Sequence, residues 1–405
     1  MASSRKTSRD DLKRFQHWKD PEVAIKGFDH WDEIRKLEDR AFGTDPELTG
    51  RTDGTWWYLM QYNDILEVFR DYQSFPFGEI QPGAEAFVSI PAEIDPPEHG
   101  KYRNLLVPLF SPAAVKAMET EIRTFCGALI DDVRASGDCD FMRDFANRFP
   151  TGIFMKLLGI PQDELPYYAE LMERVTHNAI DDDPAATSVL DAQRQLVEDF
   201  TRVIAERRSK PVSDLISYLL TCKVDNRLLT HEELLSISLT LLRGGLDTVV
   251  AQLGHVFAHL AQDATLQERI GEDPASIPKI VEEMLRFYAI GVMSRRVAHD
   301  RELAGCPMKT GDRVMLPCMA ANRDVSKFKD ADTFDPDRAR TAHLAFGAGP
   351  HSCLGIHLAK LEIRVALEEW IQRIPEFSLK DGTEPELVTT DAFIGMRKLM
   401  LEWPA

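Results

Sequence analysis

Between Thr230 and Asp263 the chain reads THEELLSISLTLLRGGLDTVVAQLGHVFAHLAQD, with apolar residues returning every three or four positions. That period lines them along helix faces. Thr230 followed by Glu233 is a capping box that marks the start. A helix over 231–262 is roughly 48 Å long at 1.5 Å per residue, enough to cross a whole domain. Gly244 and Gly245 sit near its middle, each costing about 1 kcal/mol relative to alanine. The same period predicts helices over 111–133, where Ser111 and Pro112 form a cap and a first-turn proline, and over 187–208, closed by Pro211. Two more follow Pro278 and Cys353; in the second, Leu354, Leu358, Leu361 and Val365 share a face.

Elsewhere the period shortens to two. GTWWYLMQYNDILEVFRD (54–71) reads as a strand and then a helix, with Asn63-Asp64 as turn and N-cap. Residues 295–320 alternate over short stretches broken by Gly305 and Gly311-Asp312, which are strand signals. Leu399, Leu401 and Trp403 alternate as well, predicting a terminal hairpin. Residues 321–352 hold little pattern; a loop so long in a compact domain is expected to carry function. Residues 1–20 read as frayed. The pattern predicts a mainly α fold with a small β portion, helix-rich over about 98–290, in a single domain spanning 1–405.

Composition narrows the function. A formal net charge of −18 disfavours nonspecific binding to nucleic acid or to an anionic membrane. The N-terminal MASSRKTSRDDLKRF lacks an apolar signal region, and no run reaches 18 apolar residues, so a soluble, cytoplasmic protein is expected. Six cysteines, at 126, 139, 222, 306, 318 and 353, form no C-x-x-C pair. That argues against a disulfide framework or a cysteine-rich zinc site. No glycine-rich dinucleotide loop follows a strand, and neither a Walker loop nor G-x-S-x-G is present.

Cys353 stands out within AFGAGPHSCLGIHLAK (345–360). Phe346, Gly349, Cys353 and Gly355 follow the order F-x-x-G-x-x-x-C-x-G, which puts the thiol at the mouth of a helix. Backbone N–H groups stabilise a thiolate there, and glycines let backbone approach a flat ligand. With no second ligand at metal-site spacing, such a thiolate suits a single axial bond to haem iron. The plainer reading is a buried thiol in a glycine-rich turn. Three further features bear on the choice. Glu283 and Arg286 are an acid and a base at i, i+3, in isolation a surface pair. Arg338 lies upstream of the cysteine loop in FKDADTFDPDRAR. Asp247-Thr248 follows the Gly-Gly pair; a mid-helix threonine ordinarily bonds back to a carbonyl, yet beside a gap it can face a ligand.

Taken together, the cysteine motif, E-x-x-R, F-D-P-D-R and G-G-L-D-T resemble the cytochrome P450 family over nearly the whole chain. LLRGGLDTVV, IDPPEH and FGAGPHSCLG look most like the bacterial camphor hydroxylase group. The resemblance implies a P450 fold with a long central helix over a buried haem b, whose iron is ligated by Cys353. It implies a structural triad of Glu283, Arg286 and Arg338, and an acid–alcohol pair, Asp247 and Thr248, that delivers protons to dioxygen. His99, Arg103, Arg295 and His351 fall where the family binds haem propionates, anions that favour charge-assisted donors. Phe346, Gly349 and Gly355 belong to the haem loop. Phe87, Thr240, Arg243, Gly244, Gly291, Met293 and Phe393 fall at the substrate pocket.

Two positions depart from the camphor enzymes. Phe87 stands where a tyrosine bonds the substrate ketone, and a phenyl ring donates no hydrogen bond. Arg243 stands where relatives have an apolar residue; it either clamps a carboxylate or carbonyl or turns away to pair with an acid. The expected activity is monooxygenation of a small apolar substrate such as a terpenoid or norisoprenoid, with electrons from a [2Fe-2S] ferredoxin and its reductase. Arg338, Arg340, Lys360 and Arg364 against Glu362 make segment 338–364 locally positive, the expected docking face for that ferredoxin. A peroxide-driven peroxygenase and a haem-based ligand sensor are the alternatives.

Overall fold

A computed structural model describes residues 15–404 except 18, 38–40, 45–53, 78–87, 177–186 and 340–341. Helix predominates, with short sheets, and contacts divide the chain into two units. The first comprises Met1–Ala84, Glu282–Cys353 and Thr389–Ile394. Its four-stranded sheet runs Ala41–Thr44, Trp56–Leu59, Arg313–Pro317, Val292–Arg296 in spatial order. The middle pair is parallel and the outer two are antiparallel. Trp57, Leu59, Val314 and Leu316 close over Ile65, Val68 and Phe69 of the Tyr62–Arg70 helix.

That helix starts at Tyr62, after an extended Gln61, so Asn63 and Asp64 lie inside it and are neither turn nor cap. The cap comes from elsewhere: Tyr62 N–H donates to Asp324 Oδ2 at 2.9 Å, across 262 positions. Of residues 1–20, read as frayed, 1–14 and 18 lie outside the described residues, while 15–17 are held in place. Phe15 packs edge-on against Trp31, Phe42 and Tyr58, and His17 is buried at 1% exposure. Its ring nitrogens lie 3.0 Å from Tyr58 Oη and 3.1 Å from Asp391 O. Burial lowers its pKa from 6.5 to about 3, against the smaller opposing pull of the Asp391 carbonyl.

The second unit comprises Glu85–Val281, Leu354–Val388 and Gly395–Ala405. Its axis is the helix His231–Leu260, opened by the capping box of Thr230 and Glu233 and about 45 Å long at 1.5 Å per residue. Among the described helices it alone is long and apolar enough to cross a bilayer, and most of it is buried inside the protein. Helices Phe149–Leu158, Leu165–Thr176 and Thr187–Ser209 pack around it. Phe257 stacks on Phe141 at 4.2 Å and meets Trp370 edge-on at 5.2 Å.

Pro112–Arg134, capped by the Ser111 side chain on Ala114 N–H, packs against Ile356–Arg373. The terminal alternation is real, but it makes no hairpin. Met400–Glu402 lies between Asp138–Asp140 and Ser378–Leu379, antiparallel to both. Phe141 N–H donates to Leu399 O at 2.8 Å, drawing the terminus to distant chain.

Candidate active site

The cysteine loop is built on the first unit's short helices. Leu344 N–H donates to Asn322 Oδ1 at 2.7 Å, and Cys353 N–H to Phe346 O at 2.8 Å. Gly349 has φ +71°, and a Cβ there would run into the Phe69 carbonyl oxygen. Only glycine permits both the left-handed turn and the contact.

Cys353 is exposed, whereas the other five cysteines are buried, and none of the six is in a disulfide. Burial pushes the Cys126, Cys139 and Cys222 thiols up, and Cys318 up to about 12. Thiolate rather than thiol binds metal, so those four are chemically unsuited. Among the described residues, no three His, Cys, Asp or Glu side chains cluster as a metal site. Cys306 is buried like those four, which leaves Cys353 as the exposed thiol whose sulfur could hold a haem iron.

Glu283 and Arg286, at 1% and 0% side-chain exposure, are a buried pair and not the surface pair their spacing alone suggests. Arg286 donates to both Glu283 oxygens at 2.6 and 2.8 Å. It also donates to the carbonyls of Asn322 and Ala331 at 2.8 Å, and of Thr333 at 3.0 Å. Arg338 reaches the same carboxylate at 3.2 Å, and the carbonyls of Lys329, Asp330 and Thr333. Asp335 N–H completes the set on Glu283 Oε1 at 2.9 Å. The irregular segment leading to Cys353 is thus organised by two guanidinium groups that satisfy its carbonyls, with one carboxylate to balance them.

Arg295 and His351 share a platform in this unit. The Arg295 guanidinium lies 3.7 Å from the Phe77 ring centre, and His351 meets that ring edge-on at 4.7 Å. Gly291 bridges Phe393 in antiparallel fashion. Phe393 is buried, and Met293 is 38% exposed. Phe87 lies outside the described residues.

In the second unit, His99 and Arg103 occupy successive turns of Glu98–Leu106. Burial, and then the Arg103 charge, lower the His99 pKa, favouring a neutral imidazole. On the long helix, Thr248 Oγ1 donates to Gly244 O at 3.0 Å while remaining exposed. Back-bonding and access are therefore combined and do not compete. Asp247 and Thr240 are half-buried, and Arg243 is exposed. Gly245 has no room for a Cβ beside the Phe154 ring, yet a Cβ on Gly244 meets nothing within 4 Å.

Sequence reasoning missed Asn322, Phe77 and Ser236. Ser236 Oγ donates to Val88 O at 2.5 Å and accepts from Ile90 N–H at 2.9 Å, pinning residues 88–90 one turn before Thr240. These partners are distant in sequence and leave no local signal.

The locally positive reading of 338–364 requires correction. Arg338 is bound to Glu283. Arg364 is paired with Glu119 at 2.7 Å and with Glu368 at 3.0 Å. Arg340 lies outside the described residues. Acids from the Pro112–Arg134 helix and from the next turn, invisible in a segment count, offset the arginine charge.

The cytochrome P450 family pattern matches residues 55–401. The chain is 37% identical to "Probable cytochrome P450 127A1" of Sinorhizobium fredii, over 88% of this chain and 86% of that protein. It is 35% identical to the erythromycin C-12 hydroxylase of Saccharopolyspora erythraea, over 81% and 84%. Among solved structures, CYP101J2 superposes with a TM-score of 0.86 at 30% identity, covering 100% of both chains.

Proposed function

Because the chain belongs to the cytochrome P450 family of haem b monooxygenases, we propose that it hydroxylates a small apolar substrate, a terpenoid, norisoprenoid or similar hydrocarbon. In this reading it works as one P450 domain in the cytoplasm and draws electrons from a [2Fe-2S] ferredoxin and its reductase. Haem b, when bound, inserts one atom of dioxygen into a C–H bond and releases the other as water, consuming two electrons and two protons.

The observation that carries the reading is Cys353, the one exposed thiol of six, in a loop braced by the buried Glu283–Arg286–Arg338 cluster. Its sulfur would hold the haem iron. The cluster fixes the loop's backbone, so the sulfur is presented without rearrangement. Arg295, Arg103 and His351 offer charge or N–H groups to the propionates, and a neutral His99 offers one N–H. Phe346, Gly349 and Gly355 shape the loop for a flat ligand.

Thr248 Oγ1 holds its proton against the Gly244 carbonyl and can turn it outward, because the group is exposed. The Asp247 side chain, one residue earlier, would take a proton from solvent and, as the carboxylic acid, return it to the hydroxyl. Relatives carry names as different as erythromycin C-12 hydroxylase and steroid C26-monooxygenase, so the substrate class rests on this chain's own residues. Phe87, Gly244, Gly291, Met293 and Phe393, which the family resemblance assigns to the substrate, are apolar by type, and that composition suits a hydrocarbon skeleton.

Two measurements test the reading. The reduced protein with carbon monoxide should show the absorption diagnostic of thiolate ligation, and Cys353→His should abolish it. A thiolate spectrum that survives Cys353→His moves the ligand to another cysteine. A screen of terpenoids and norisoprenoids for the optical shift on substrate binding tests the substrate class, and no response across the set rejects it.

A further inference from the structure

Most of His231–Leu260 is buried, yet its middle is open along one side. Arg243, Gly244 and Thr248 are exposed, with Thr240 and Asp247 half-buried. Leu241, Leu242, Leu246, Val249 and Val250, interleaved with them, are buried. Leu239 and Gly245 are half-buried as well; at about 100° per residue, Thr240, Arg243, Gly244, Asp247 and Thr248 fall together within an arc of about 140°. The empty space beside Gly244 lies on that arc.

Two polar groups on the arc lack protein partners. The Thr240 hydroxyl is shielded from solvent and makes no hydrogen bond. Its neighbours behave otherwise: Ser236, Ser238 and Thr248 all donate to carbonyls. Arg243 has no carboxylate within ion-pair distance among the described residues. Arg70, Arg134, Arg208 and Arg397 likewise have no ion pair among the described residues; what sets Arg243 apart is that it shares a helix face with the unbonded Thr240 hydroxyl. A permanent guanidinium charge and an unbonded hydroxyl, three residues apart on one face, suit an anionic acceptor.

We propose that Arg243 and Thr240 form a carboxylate-binding subsite and that the substrate is an apolar acid held there by its anionic end. This rests on the hydrocarbon-oxidation reading above and adds a charged group to one end of the skeleton. The guanidinium offers two parallel N–H donors that match a carboxylate, and Thr240 adds an O–H. Asp247, one turn further on, repels the carboxylate from the oxidation end. The acid therefore lies with its carboxylate at the Thr240 turn and its hydrocarbon toward Thr248.

The test titrates haem-loaded protein with perillate, methyl perillate and limonene, which share one skeleton, and reads the optical shift on binding. Perillate should bind at least about tenfold more tightly than its ester, as a charge-assisted bidentate contact implies. Arg243→Leu should collapse the acid-to-ester ratio toward one. Thr240→Val should reduce it by a smaller factor, and Arg243→Glu should reverse it in favour of the ester. Ester or limonene binding as tightly as perillate, or an acid preference unchanged in Arg243→Leu, overturns the subsite and leaves the hydrocarbon reading standing. Failure of all three ligands to bind the native protein overturns the subsite for this skeleton, and the hydrocarbon reading falls with it only if the wider terpenoid and norisoprenoid screen is also silent.

Discussion

Glu283 and Arg286 meet through two hydrogen bonds of 2.6 and 2.8 Å with 1% and 0% of their side chains exposed. A buried pair of this kind gains little over an apolar substitute, but removing one partner strands a charge in the interior. Glu283→Gln should therefore lower unfolding stability by about 3–5 kcal/mol and reduce haem retention. Arg338→Lys should cost less, because Arg286 keeps the carboxylate occupied. Urea unfolding with parallel haem quantification measures both. A Glu283→Gln protein as stable as the native one would remove the cluster from its organising role.

Thr248 is bonded and accessible at once, which sets up a test of proton delivery. Thr248→Ala should leave substrate affinity nearly unchanged and divert reducing equivalents into peroxide; Thr248→Ser should restore coupling. Asp247→Asn should slow turnover more than it uncouples it. The measurement is product formed per electron consumed. Equal yield in native protein and Thr248→Ala would take the hydroxyl out of the reaction.

His17 makes the first unit sensitive to acid. Its pKa is about 3 when folded and about 6.5 when unfolded, so between those values the unfolded chain binds a proton that the native protein excludes. The stabilising contribution is complete above pH 6.5 and is lost as pH falls toward 3, at up to roughly 1.4 kcal/mol per pH unit. His17→Gln should be less stable at pH 7 and should flatten the decline between pH 6 and 4. Identical pH slopes for the two proteins would place the acid sensitivity elsewhere.

The ion pairs of Arg364 change what a ferredoxin-docking experiment should find. Arg364→Glu adds a third acid beside Glu119 and Glu368, so it should weaken the contact between Pro112–Arg134 and Ile356–Arg373 and lower the melting temperature. Lys360→Glu should instead slow reduction by an acidic ferredoxin and flatten its dependence on salt, with the melting temperature kept. Reduction rates measured against ionic strength separate the two effects. If Lys360→Glu leaves the rate and its salt dependence unaltered, docking lies off this face.

Helices and their caps were legible wherever the partner is local. Thr230 with Glu233 and Ser111 with Ala114 N–H are written within four residues, and both occur as read. What failed was set by distant chain. Asp324 caps Tyr62 from 262 residues away, displacing the Asn63-Asp64 turn. The terminal strand finds Asp138–Asp140 and no neighbouring strand of a hairpin. Charge misled for the same reason, because the acids opposing Arg364 include one on another helix. Motif residues were readable by type and spacing, whereas the burial that turns Glu283 and Arg286 from a surface pair into a brace is a tertiary property.

The two adjacent glycines of the long helix give directed evolution of this enzyme an uneven landscape. A Cβ at Gly244 meets no protein atom within 4 Å, so Gly244→Ala should fold and should act as a steric filter on which ligands fit beside it. The same change one residue later collides with the Phe154 ring and needs a compensating change there. A library that varies position 244 alone, and couples 245 to 154, would spend its members on folded variants, whereas one that treats the pair as equivalent would lose much of its diversity to misfolding.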